Sequence, residues 1–421
     1  MNYRIKNKWL ILMGAISAQL TIGAMYAWSL FNEPIKVAFG CELSDVVSTY
    51  AIALAAFSLT TIFSGRLQLK KGPRVTALIG ALLYSGGILL SSFATAPWML
   101  YLTYGLMAGA GVGFVYVCPL ATLVKWFPAH KGGITGVATG AFALGAFIFK
   151  FVIAKMLALP ILPENAATAV VEAAKLETYT PELISSTFFS LGIIYTVMAV
   201  AGALLLDVPD HSEVAAKVKV VGDIDYSPMQ MVKTGNFYKL LLSDLLALMP
   251  GLLIIGIAKD LGTQWFDKHT GLMLVGLLAL FNAGGRLASG KLADKFGALK
   301  VYRTMYFFVI IAVAILSLRP ENKALFMAVL MIIAVGYGSF LSLVPTVVGR
   351  IFGGKNFSAN YGLVFQAYGM AAMIGITIKK FSKDFETAFI IAMCTAIAGL
   401  VLAMLIKDET HVHKEKVKTV E

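Results

Sequence analysis

Arg286 is a single cation inside an apolar run, about one helical turn before Gly290. A guanidinium facing lipid costs several kcal/mol, so this side chain must face the protein interior or a wet cavity. There it offers a planar, permanently charged fork that matches a carboxylate. The competing reading is a structural ion pair, or membership of the nearby cluster of basic loop residues. Asn282 lies one turn earlier, on the same helical face. It cannot neutralise the cation, which leaves the charge free for an anion, and its amide adds a hydrogen bond either to that anion or to a neighbouring helix. The chemistry is recognition rather than bond breaking. The sequence holds no phosphate-binding loop, no His/Cys metal cluster and no nucleophile beside a base, so no enzyme activity, cofactor or metal is expected. His130, His211, His269, His411 and His413 all fall in connections or the tail.

Four tyrosines fall on separate apolar runs: Tyr26, Tyr116, Tyr337 and Tyr368. Their phenols can donate to a carboxylate while their rings exclude water; the alternative is ordinary interface packing. Lys150 reads as a side chain reaching for outer headgroups, or as an attractor of anions. Asp244 reads as an interfacial ion pair, or as a proton-coupling carboxylate. Gly105, Gly109 and Gly113 recur every four residues, as do Gly132, Gly136 and Gly140, a spacing that lets helix backbones approach closely.

The elements that position these residues follow from composition. Of 421 residues, 58% are apolar and 14% charged, against about 25% charged in soluble proteins. No single soluble core could hide that much apolar surface. A helix needs about 20 apolar residues to cross the hydrocarbon, and twelve runs meet that need: 9–30, 46–64, 75–93, 97–117, 134–154, 186–206, 237–258, 271–289, 301–318, 324–344, 361–378 and 388–406. The basic start at 1–8 leads into a run of full membrane width, which reads as a first span rather than a cleavable signal. The expected fold is an all-α membrane protein of twelve transmembrane helices in two pseudo-symmetric six-helix bundles. The net charge of +12 lies in short connections without interleaved aromatics, which argues for topology signals and against nucleic acid. One set of connections holds Arg4, Lys6, Lys8, Arg66, Lys70, Lys71, Arg74, Lys125, Lys131, Lys291, Lys295, Lys300, Arg303, Arg350 and Lys355. The alternate set is poorer in Lys and Arg and carries Glu33, Glu42, Glu164, Glu172, Glu177 and Glu182. The basic set is therefore expected in the cytoplasm of a cell-membrane protein, with both termini inside. Cys41, Cys118 and Cys394 imply no disulfide framework.

The chain divides into an N-terminal bundle (1–206), a charged central linker (207–236), a C-terminal bundle (237–406) and a short tail (407–421). Ser227-Pro228 predicts a capped short helix in the linker, and 157–182 forms a long acidic outer connection. The bundles repeat one another. Gly65-Arg66-Leu67-Gln68-Leu69-Lys70-Lys71-Gly72 and Gly290-Lys291-Leu292-Ala293-Asp294-Lys295-Phe296-Gly297 lie 225 positions apart. Pro119 and Pro345 lie 226 apart, as do Gly136 and Gly362. Two parallel repeats predict a pseudo-two-fold along the membrane normal and a midplane site between the halves.

The segment Gly290 to Gly297 matches the loop signature of the major facilitator superfamily, which the whole chain resembles. The resemblance implies that this loop latches the cytoplasmic side. Asp294 would meet a helix N-terminus and nearby guanidinium groups, with Arg350 as the expected partner and Gly290 and Gly297 framing the turn. In the first half Leu69 stands where the aspartate belongs. A narrower set, in order, resembles the oxalate/formate antiporter branch, related to monocarboxylate transporters: Tyr26-Ala27-Trp28-Ser29, Lys125-Trp126-Phe127-Pro128, Asn282-Ala283-Gly284-Gly285-Arg286 and Asn360-Tyr361-Gly362. That resemblance implies an aromatic-lined cavity, with Gln366, Phe142 and Phe340 as further wall residues and Leu341 where oxalate members carry a tyrosine. Oxalate members also carry a lysine in the eleventh span; here the run reads Gln366-Ala367-Tyr368-Gly369. One cation suits one carboxylate. The expected function is secondary transport of a small monocarboxylate such as lactate, pyruvate or formate, by proton symport or anion exchange, in a monomer. The alternatives are an oxalate or other dicarboxylate antiporter, and a non-transporting membrane sensor of organic acids.

Overall fold

A computed structural model describes residues 7–157, 177–209, 225–381 and 385–407, and its elements are helical throughout. We number the membrane helices in chain order. α1 is Lys8–Phe39, tightened to a 3₁₀ segment over Ala24–Phe31. One long helix, Leu43–Ser91, breaks at Gly72 into α2 (43–71) and α3 (73–91). Then follow α4 (Pro97–Trp126), α5 (Lys131–Met156), α6 (Pro181–Leu204), α7 (Gly235–Trp265), α8 (Lys268–Phe296), α9 (Ala298–Ser317) and α10 (Lys323–Ile351). α11 (357–381) is jogged at Phe365, and α12 is Phe385–Met404. Among the described residues, ten helices are long and apolar enough to span a membrane. One of them holds both α2 and α3, and the jog divides α11, so the twelve spans stand.

Local chemistry sets the helix ends. Asn7, Thr180, Thr234 and Asn322 accept amide hydrogens of the first turns of α1, α6, α7 and α10. Pro97 and Pro181 occupy first helical positions, where a missing N–H costs nothing. Ser227 and Gln230 form the expected capping box of a short helix, Pro228–Met231. The rest of the linker between 210 and 224, the acidic connection between 158 and 176, and the tail from 408 lie outside the described residues. Gly72 and Gly297 end the two repeated loops with φ of 82° and 90°, left-handed values that favour glycine. The sequence repeat is thus also a backbone repeat. Phe63, Phe93, Phe151, Phe307 and Ile390 point out of the bundle and are exposed; lipid is the matching solvent for such a surface.

The halves meet through helix pairs that the repeat relates to one another: α5 lies along α8, and α2 lies along the first part of α11. Glycines permit the closest approaches. Gly105, Gly109 and Gly113 seat α4 against Ile52, Ala53 and Thr60 of α2, while Gly132, Gly136 and Gly140 seat α5 against α8. The inter-half contacts gather toward the end of the bundle that carries Lys131, Lys291 and Lys295, called here the basic end.

At the opposite end Asp267 caps α8. It accepts from the Thr270 amide (2.7 Å) and hydroxyl (2.8 Å), and Lys323 of α10 lies 2.9 Å away. The Lys323 ammonium, followed by these Thr270 donors, holds the carboxyl well below its usual range. A depressed carboxylate stabilises the fold above its unfolded pKa, near 4, and that contribution fades as pH falls toward the folded value. Asp267→Asn is therefore expected to lower the Tm at pH 7. Thermal melts at pH 7 and pH 3 should show the gap to wild type narrowing at the lower pH.

Candidate functional site: a buried arginine between the halves

Arg286 sits ten residues in from the basic end of α8, roughly 15 Å along the helix and near mid-membrane. Its backbone is held on both sides. Ser342 of α10 donates to the Arg286 carbonyl at 3.1 Å, and Ser339 donates to the Gly285 carbonyl at 3.3 Å. On the other side Gly136 of α5 is so close that a Cβ there would stand 2.5 Å from the Arg286 carbonyl oxygen. Arg286 as a whole is 1% exposed. Its Nε donates to Asn282 Oδ1 at 3.0 Å and its Nη1 to the Thr139 carbonyl, in the other half, at 2.9 Å. Its Nη2 is buried without a partner among the described residues. No acid neutralises it there. A buried cation with one unused fork is an incomplete arrangement that an anion would complete.

Aromatic rings enclose this fork. The Arg286 Cζ lies 6.0 Å from the Phe142 ring centroid, within cation–π range. Phe142 meets Tyr26 and Tyr116 edge-on at 5.0 and 5.2 Å. Phe57 of α2 and Phe365 of α11 continue the wall, with Phe365 at 4.9 Å from Tyr116 and 5.1 Å from Tyr368. Tyr337 leans on Gly251 of α7. The Tyr26 and Tyr368 hydroxyls hydrogen-bond to each other across the halves. The guanidinium charge is within electrostatic reach of the Tyr26, Tyr116 and Tyr337 phenols. Residues from α1, α2, α4, α5, α8, α10 and α11 thus converge on one cation.

The structure brings together Arg286, Asn282, Tyr26, Tyr116, Tyr337, Tyr368 and Phe142 as the sequence suggested. Two other candidates stand elsewhere. Phe340 is turned into its own bundle, against Tyr302 and Tyr306 of α9 at 5.4 and 4.8 Å; that aromatic slot claims it, and it does not reach the cage. Gln366 is used as a clasp between α11 and α2: its amide donates to the Ser58 and Gly362 carbonyls, each at 2.8 Å, and its oxygen accepts from Ser58 Oγ at 3.3 Å. Phe57, Phe365 and the Thr139 carbonyl escaped the sequence reading. Nothing local marks an apolar ring or a main-chain carbonyl as functional; only the pairing of α5 with α8 and α2 with α11 reveals them. Lys150 is half-buried and lies eight residues beyond Phe142, roughly 12 Å farther along α5.

The contacts of Asp294 are simpler than expected. Asp294 accepts from the Gly132 and Gly133 amides, one at each oxygen, both at 2.7 Å. These are orphan donors at the start of α5, where the helix dipole favours an anion. Arg350, the expected partner, lies instead at the turn, with Nη1 3.3 Å from the place of a Cβ on Gly297. In the repeated position Leu69 is an exposed leucine. There the halves close through Ser358 Oγ on the Gly65 carbonyl and Thr61 Oγ1 on the Gly362 carbonyl, both at 3.1 Å.

A sequence model of the Major Facilitator Superfamily matches residues 10–248 and 240–421. The oxalate:formate antiporter of Oxalobacter formigenes is 27% identical over 410 residues, covering 95% of this chain and 91% of its own. Monocarboxylate transporter 13 of Rattus norvegicus is 22% identical over 408 residues, covering 93% and 87%. Among solved structures, the proton:xylose symporter XylE superposes with a TM-score of 0.72 at 12% identity, covering 97% of both chains.

Proposed function

The chain belongs to the Major Facilitator Superfamily and is a multi-pass membrane transporter, and from that premise we propose that it carries a small monocarboxylate of the lactate, pyruvate or formate class by alternating access. The observation that carries this reading is the unpartnered Nη2 of Arg286 inside an aromatic cage at the junction of the halves. One carboxylate group on that edge completes the fork, and the surrounding phenols supply further donors to its second oxygen. The likeness to an oxalate:formate antiporter and a monocarboxylate transporter supports a carboxylate cargo.

A dicarboxylate is the second reading. Oxalate joins its two carboxylates directly, so a second cation must stand within a few ångströms of the first. Lys150 is roughly two turns too far along α5. The site as built therefore matches one charge.

The basic end faces the cytoplasm in this reading, by the distribution of Lys and Arg between connections. Both termini are then inside. The functional units are the bundles 1–206 and 237–406, joined by the linker 207–236 and followed by the tail 407–421, working as a monomer. The contacts at Gly132–Gly290 and Gly65–Ser358 then seal the cytoplasmic end.

The test is counterflow in proteoliposomes preloaded with unlabelled lactate, using a panel of competitors. Lactate, pyruvate and formate should each suppress labelled lactate entry, and oxalate should be at least about tenfold weaker, the equivalent of ~1.4 kcal/mol. Competition by neutral sugars without competition by carboxylates would refute the reading. Saturable lactate binding with no flux would point to a sensor.

A further inference from the structure

Asp244 lies on α7, nine residues in from the basic end and seven before Gly251, the residue that abuts Tyr337. That places it roughly 10 Å nearer the basic end than the cage. It is 4% exposed, and its Oδ1 is buried with no hydrogen-bond partner among the described residues. Its neighbour Ser243 shows what satisfaction looks like at this depth, bonding Tyr302, Tyr306 and the Gly399 carbonyl. Asp244, about 100° further round the helix, has phenols within electrostatic reach: Tyr116, Tyr337 and Tyr361 toward the cage, Tyr302 and Tyr306 on α9.

The charged groups on the helices packed against α7 are engaged elsewhere. Arg286 bonds Thr139 and Asn282; Lys323 bonds Asp267; Arg303 bonds the Ala403 and Ile406 carbonyls. Glu386 of α12 pairs with Arg319, and Asp294 is held by the α5 amides. Lys239, on α7 itself, bonds the Leu405 carbonyl. Arg350 lies at Gly297, and Lys295 lies over Phe296. Lys291 is exposed at the basic end, and the side chains of Lys379 and Lys380 lie outside the described ones. An anion at Asp244 thus has no contacting cation among the described residues and is offset only at longer range by Arg286, so the state of Arg286 decides whether the acid is held charged or neutral.

We propose that Asp244 is the proton-binding site of this carrier and makes it a proton–carboxylate symporter. The inference rests on the monocarboxylate reading above and deepens it. Charge balance supplies the coupling. With substrate bound, Arg286 and the carboxylate cancel, and the loaded carrier is neutral only when Asp244 holds a proton. With the site empty, Arg286 is balanced only when Asp244 has released it. Neutral forms cross between states most readily, because the barrier to moving net charge through the sealed mid-membrane region is absent. Substrate and proton therefore travel together, and the carrier returns with neither. The proton adds to the Asp244 carboxylate from the side of entry and leaves it when the basic end opens. The Tyr116 and Tyr361 rings, 6.5 Å apart, are each within electrostatic reach of both the cation and the acid.

The test uses the full chain in proteoliposomes with a trapped pH dye. Labelled lactate entering through wild type should carry about one proton each, and an inward acid gradient of one pH unit should drive about tenfold accumulation above protein-free vesicles. Asp244→Asn should keep lactate counterflow within about twofold of wild type, since exchange moves only the loaded form, and should lose both acidification and gradient-driven accumulation. Asp244→Glu should retain coupling with a displaced pH profile. Wild-type lactate entry without acidification overturns the proposal, as does an Asp244→Asn variant that still accumulates lactate. Loss of counterflow in Asp244→Asn also overturns it, because the carboxylate would then serve folding or binding. Absence of carboxylate counterflow in wild type is a different result, and refutes the substrate reading instead.

Discussion

Arg286→Lys is expected to cut lactate uptake to below about a tenth of wild type and to weaken apparent affinity at least tenfold, although the charge is kept. An ammonium is a point donor on a flexible stem. It cannot hold the Asn282 and Thr139 oxygens and still present a flat free edge to a carboxylate. Arg286→Ala removes the charge altogether. Truncating one partner of a buried, hydrogen-bonded charge pair costs about 2–5 kcal/mol, so transport should fall below detection. The comparison that decides the matter sets binding against folding. The Nε and Nη1 bonds tie α8 to itself and to α5, so either variant lowers thermal stability somewhat. A purely structural arginine would give a lower Tm with the apparent affinity of the remaining folded carrier unchanged. A substrate anchor gives the reverse emphasis: lysine rescues stability more than affinity. Competition curves on detergent-purified protein, normalised to the folded fraction by size exclusion, separate the two.

The legibility of this molecule in its sequence follows the range of the physics involved. Membrane spans are written in runs of about 20 residues because each helix must satisfy its own backbone inside lipid. Twelve spans could therefore be placed without any tertiary information. The repeat was equally visible, since Gly72 and Gly297 mark turns that need a positive φ. Arg286 declared itself because a cation in an apolar run has no bland place to go. The cage was only partly legible. Tyr26, Tyr116, Tyr337 and Tyr368 carry a polar tip that drew attention, whereas Phe57 and Phe365 are indistinguishable in sequence from lipid-facing rings such as Phe63. Phe340 and Gln366 show the converse: the right residue types, three residues and two residues from cage members Tyr337 and Tyr368, are turned to other partners by helical rotation. Asp294 is expected from sequence to meet a helix N-terminus and a guanidinium, and its partners are main-chain amides of the other half. No side-chain pattern encodes those; they follow from the docking of α8 on the start of α5.

That docking makes a second strong prediction. Gly132 and Gly290 meet backbone to backbone, and a Cβ on Gly132 would stand 2.5 Å from the Gly290 carbonyl oxygen. Unlike the tip of a long side chain, a carbonyl in a helix cannot step aside. Gly132→Val should therefore prevent the basic end from closing, and by holding the halves apart it should abolish counterflow while leaving each bundle folded. Both bundles contribute one glycine to the contact and neither needs it for its own packing, so the Tm should change little. Asp294→Asn acts on the same contact more gently. It leaves the backbones free to touch but removes a charge from the α5 N-terminus, where two short amide bonds hold it. Hydrogen bonds to a charged group contribute about 1.5–3 kcal/mol each, a bias large enough to shift a two-state equilibrium tenfold or more. A cysteine placed at Leu292, exposed near this contact, reports the difference through its rate of maleimide labelling from the side that the basic end faces. Labelling should be fast in Gly132→Val whether or not lactate is present, intermediate in Asp294→Asn, and slow in the otherwise wild-type background. Equal labelling in all three, with transport lost in Gly132→Val, would mean that the glycine serves the stability of α5 and that the end closes by other contacts. Leu69→Asp probes the opposite loop. If the missing carboxylate there simply weakens closure, restoring it should slow labelling further, and it should lower turnover because the open state becomes harder to reach.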